Sequence, residues 1–96
     1  MVELIDLFLA QVGPVPSELH EALTAGDEQT VARVVHTLQS SAGNLGARRL
    51  QRLCKETEAM IRGGQGGDVG AMVEAVTAEI GRVVGALQVE RQRSAA

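Results

Sequence analysis

Aromatic side chains are almost missing from this 96-residue chain: Phe8 stands alone, with no tryptophan or tyrosine. Any core must come from Leu, Val, Ile, Ala and Met, a composition suited to packed helices in one small domain. The shortage also removes the stacking platforms on which bases sit. Nine basic residues against twelve acidic ones leave a net charge of −3, so nothing draws the chain electrostatically to nucleic acid. Nucleic acid is excluded as a partner. Cys54 is the single cysteine; it permits no internal disulfide and fits a reducing compartment. Two distant histidines, His20 and His36, together with one cysteine show no metal-ligand spacing, so no metal is expected. No apolar run is long enough to span a bilayer. The opening residues carry Glu3 and Asp6 where an export signal is basic, so the expected location is the cytoplasm.

Prolines are also few, and they punctuate well. A first short helix is expected over residues 1–12, stopped at Gly13-Pro14, because proline disfavours helix in the residue before it. A second begins near Ser17 and runs to Ala25, with Gly26 as its stop and Asp27 as the N-cap of the next. The third spans Glu28 to Gly43 or Asn44, and Gly46 marks a corner. A fourth runs from Ala47 to Arg62 with Ala47, Leu50, Leu53, Cys54, Thr57 and Ile61 on one face. The GGQGG loop at Gly63–Gly67 follows. Asp68 caps a last helix with Val69, Val73, Val76, Ile80, Val83 and Leu87 recurring at steps of four and three. The expected fold is all-α: an antiparallel four-helix bundle over residues 15–92, an additional short N-terminal helix, and a frayed tail over 93–96.

The third helix carries the chemistry. At ~100° per residue from Val31, the residues Val34, Val35, Leu38, Ala42 and Leu45 fall within about 60° and form the buried stripe. His36 lands at roughly 140°, pointing away from that core. Ala32 and Gly43 flank it, so no tall side chain blocks a large partner. An exposed imidazole titrates near ~6.5, which leaves a ring nitrogen free to attack phosphorus at neutral pH. Gln39 and Ser40 lie on the following turn with hydrogen-bond donors for phosphoryl oxygens.

The stretch HTLQSSAGNLGARRLQRLCKETE, from His36 to Glu58, resembles the signature of histidine-containing phosphotransfer (HPt) domains of bacterial phosphorelays. His36, Leu38, Ser41, Ala42, Asn44, Leu45, Gly46, Ala47, Leu50, Leu53, Cys54 and Glu58 fit its pattern, and so does the preceding LTAGDEQTVARVV. The resemblance implies that His36 accepts a phosphoryl group from the aspartyl phosphate of a receiver domain and passes it to another receiver. It implies no ATP, no cofactor and no kinase activity in this chain, with the Mg²⁺ of transfer belonging to the receiver. Receiver domains and a hybrid histidine kinase are the implied partners, and the implied state is a monomer. Two positions depart from the pattern: Gln39 stands where the family usually has lysine, and Ser40 where it has glycine. The missing lysine removes a positive charge near the phosphoryl group, which Arg33 on the preceding turn could supply. In the resembled family the first helix helps form the apolar part of the docking surface, which points here to Leu7 or Leu9, beside Ala32 and Gly43; plain coverage of the bundle end is the alternative role for these leucines.

Other residues read more plainly. His20 is a solvated helix-end histidine and Cys54 a small buried hydrophobe. Glu56 and Glu58, near Lys55 and Arg52, read as an ordinary charged face. Arg48, Arg49 and Arg52 form a basic group that either rims a partner surface or stays solvated. A dimerising histidine-kinase domain is a competing class, but Thr37 follows His36 where that class has an acidic residue. No proline appears after it either. A helical adaptor that binds receivers without carrying phosphate is the other alternative, and Gln39 and Ser40 are its only support.

Overall fold

The computed structural model describes residues 2–64 and 66–95; Met1, Gln65 in the expected glycine loop and Ala96 at the tail lie outside them. Five helices follow one another: α1 (Val2–Val12), α2 (Val15–Thr24), α3 (Glu28–Leu45), α4 (Arg48–Gly63) and α5 (Val69–Ala95). No strand occurs among the described residues.

The helix boundaries follow from local chemistry. Asp27 caps α3 by accepting the Thr30 N–H and the Thr30 hydroxyl. At the other end of α3, Gly46 adopts a left-handed φ of 81°. Its N–H reaches the Gly43 carbonyl at 3.1 Å, and the Ala47 N–H reaches the Ala42 carbonyl at 2.9 Å. These two bonds satisfy carbonyls that the helix end would orphan and turn the chain back on itself. Gly26 closes α2 the same way, with Asp27 N–H on the Ala22 carbonyl. Helix α2 starts at Val15, two residues before the expected Ser17, because Pro16 sits in the first turn, where its missing N–H costs nothing. Asp68 caps α5 through the Ala71 N–H at 3.0 Å.

Apolar residues from all five helices meet in one core. Val31, Val35, Leu38 and Ala42 of α3 face Leu50 and Cys54 of α4 and Val73, Val76 and Ile80 of α5. Phe8, Val12, Leu19 and Ala22 close it from α1 and α2. The two short helices run along α5 in sequence. Leu9 and Val12 share a groove with Ile80 and Val84, Pro16 with Thr77, and Leu23 lies beside Gly70. Helix α5 is 27 residues long and continues through 93–95, where a frayed tail is expected from the sequence. Its end is held against α1 by Arg91, whose Nε lies 2.6 Å from the Asp6 carboxylate.

A second tie joins α4 to α5. The Glu79 carboxylate is buried, with Arg82 Nη2 at 2.8 Å and Arg49 Nε at 3.3 Å. The hydrogen bonds from Arg82 hold its carboxyl below the usual range against the opposing effect of burial, and the Arg82 and Arg49 charges add to this. Arg49 thus has a structural partner, which separates it from Arg48 and Arg52.

Leu50 is fully buried at the centre of the core. Leu50→Ala removes its packing and leaves a cavity, so unfolding free energy should fall by about 2–5 kcal/mol. Urea titration followed by far-ultraviolet circular dichroism measures the loss.

Candidate functional site

Gly46 sets which residues of α3 and α4 meet. The chain reverses there, and the two helices pack side by side as an antiparallel hairpin. A Cβ on Gly43 would fall 2.6 Å from Gln51 Nε2, and His36 meets Glu58. Both pairs sit symmetrically about the turn, as an antiparallel register requires.

His36 projects from the open face of α3 with its side chain 65% exposed. Its Nδ1 lies 3.0 Å from the Glu58 carboxylate. A carboxylate only accepts, so with the ring neutral Nδ1 carries the proton and donates it to Glu58. Nε2 then keeps its lone pair and faces solvent. Glu58 is only 16% exposed and is itself bound by Arg62, whose Nε lies 2.7 Å from Oε2. Its carboxyl is held below the usual range first by the hydrogen bond from His36, against burial, and further by Arg62. The sign follows directly. A depressed carboxyl stays charged through neutral pH, and its contacts are lost only as pH falls through the lowered value.

The other site residues divide. Ser40 is exposed on the turn after His36, and Gln39 is half-buried on the flank toward α4. Arg33 is exposed and lines a groove with Gln11, Glu18 and Thr37, on the flank away from Glu58. Gly43 is partly open, with the Gln51 side chain against it. Ala32 corrects an expectation: it is 0% exposed and cannot touch a partner. Its side chain lies wholly inside the packed bundle. Leu7 is 55% exposed and shares a shallow groove with Ser41 and Asn44 of α3, with Leu4 beside it. Leu9 corrects a second expectation. It lines the groove between α1 and α5 with Thr77, Ile80 and Val84, on the side of α1 turned from α3. Gln11, absent from the sequence reading, joins α1 to α3 by accepting the Ser41 hydroxyl at 3.2 Å.

Glu58, expected in an ordinary charged face, is instead the side chain that meets His36. Equal steps outward from Ala47 along an antiparallel hairpin set it opposite His36. Cys54 has no chemistry to offer, since burial pushes its thiol up to about 12. Among the described residues no three metal-ligating side chains converge, and no helix is long and apolar enough to cross a membrane.

The architecture is thus an all-helical bundle that holds out His36, fixed through a single ring nitrogen. The Hpt domain model matches residues 3–86, and the chain belongs to that family. It is also similar to histidine-containing phosphotransfer protein B (HptB) from Pseudomonas aeruginosa PAO1, known from a crystal structure. The two share 33% identity over 96% of this chain and 80% of that one, with a TM-score of 0.88. A search of curated proteins finds no match. Family and structural likeness together support a role in histidine phosphotransfer within phosphorelays.

The Glu58 contact makes a spectroscopic prediction. In ¹⁵N-correlated spectra at a pH where the ring is neutral, His36 should be the Nδ1–H tautomer. Glu58→Ala should return it to the mixture of a free imidazole, while His20 stays unchanged.

Proposed function

We propose that this protein carries a phosphoryl group on Nε2 of His36 between receiver domains of a phosphorelay. The observation that carries the reading is the His36–Glu58 pair, which leaves the second ring nitrogen of an exposed, neutral imidazole unprotonated. In the forward step the Nε2 lone pair forms the N–P bond as the P–O bond to the receiver's aspartate breaks. The bonding pair returns to that carboxylate. The ring gains one positive charge, which Glu58 offsets through the Nδ1 proton. Delivery to the next receiver is the same step reversed. The chain supplies position and electrostatics, while the receiver supplies the leaving group and its metal.

Docking follows from the surface around the ring. Ser40 is a small exposed side chain beside the ring, Gly43 lets Gln51 lie flat against α3, and Leu7 with Leu4 offers an apolar edge across the α1–α3 groove. A receiver seated there would cover His36 and exclude water from the transfer. Ala32 and Leu9 have no part in this surface. A hybrid kinase fits as the source of phosphate through its own receiver, and no kinase activity is assigned to this chain.

An adaptor that binds receivers without transfer is the second reading, and Gln39 in place of a cation is the observation that favours it. One assay separates the two. Incubation with a phosphorylated receiver should give acid-labile, base-stable label on the wild type and none on His36→Gln. Wild-type protein that stays unlabelled against several receivers, yet still binds them, would establish the adaptor instead. Label from ATP alone would mean a kinase.

A further inference from the structure

Glu58 solves one problem at the site and creates another. Its carboxylate orients the ring, but a fixed negative charge beside the nucleophile repels the phosphoryl group that must approach. Gln39 supplies no cation to offset it. Arg62 does stand close enough. Its Nε lies 2.7 Å from Glu58 Oε2, and that same oxygen lies 3.0 Å from His36 Nδ1. Nδ1 is equally 3.0 Å from Oε1, its hydrogen-bond partner, so guanidinium and imidazole bind one carboxylate side by side.

Arg62 also has capacity to spare. Among the described residues only its Nε has a hydrogen-bond partner, and its side chain is 54% exposed. The terminal nitrogens, with four N–H donors, remain open to an anion. Arg33 is placed differently. It lies on the opposite flank of His36, along the groove with Glu18. Its charge also bears on Asp27, whose carboxyl is lowered first by the Thr30 bonds and in part by Arg33.

Building on the carrier reading, we infer that Arg62 is the cation of the phosphoryl site, replacing from α4 the charge that position 39 lacks on α3. At rest it neutralises Glu58, so the carboxylate orients His36 without repelling the donor. After transfer its free N–H groups turn to the phosphoryl oxygens on Nε2, while Glu58 keeps the Nδ1 proton. The phosphate is thus balanced by a residue of the facing helix.

The test measures the decay of phosphohistidine and the rate of onward transfer at low ionic strength, where exposed charges act most strongly. A phosphorylated receiver domain serves as donor. Arg62→Gln should shorten the phosphohistidine lifetime and slow transfer by about fivefold each, the effect of one exposed charge near contact distance. Its melting temperature should stay that of the wild type. Adding Gln39→Lys to Arg62→Gln should restore both rates, which a merely structural role for Arg62 cannot explain. Arg62→Gln indistinguishable from wild type would overturn the inference and leave the carrier reading intact. So would a defect that Gln39→Lys fails to repair, since Arg62 would then act only by holding Glu58. A wild type that takes no label would overturn the carrier reading and this inference with it.

Discussion

The register of the α3–α4 hairpin governs the site, and Gly46 governs the register. A left-handed residue at that corner lets α3 end with its carbonyls satisfied and α4 begin at once on the return path. Helices joined so tightly have little freedom to slide. His36 must face Glu58, and Gly43 must pass Gln51. Which residue the exposed histidine meets is therefore decided ten residues away, by backbone conformation.

The surrounding bundle keeps this hairpin rigid in two ways. Apolar packing against α5 fixes its inner face, and the buried Glu79 carboxylate pins its turn-proximal end through Arg49. A buried acid held by two arginines is costly to desolvate and contributes less to stability than to geometry. Removing one partner would leave a buried charge uncompensated, so the arrangement discourages any other seating of α4 on α5.

Much of this was legible in the sequence. The apolar stripe of α3, the caps at Asp27 and Asp68, and the corner at Gly46 all follow from periodicity and residue chemistry. What a single helix cannot reveal is which neighbour covers its flanks. Ala32 and His36 lie only about 40° apart on a helical wheel, yet one is buried and the other open. Leu7 and Leu9 pose the same problem on α1, where two exposed-looking leucines face different grooves. On its own helix Glu58 reads as surface charge, although it closes the signature that opens at His36, because its partner lies twenty-two residues away. Contacts across a hairpin become visible only once its register is counted.

Cys54 brings a different property. Its sulfur is fully covered and its thiol resists ionisation, so oxidants and alkylating agents meet nothing reactive while the bundle is closed. The exposed His36 surface is thus separate from any thiol chemistry. The same burial makes the residue an internal clock: its capture by a thiol reagent must wait for the helices to separate. The capture rate therefore counts openings of the whole bundle, with no label added and no residue changed.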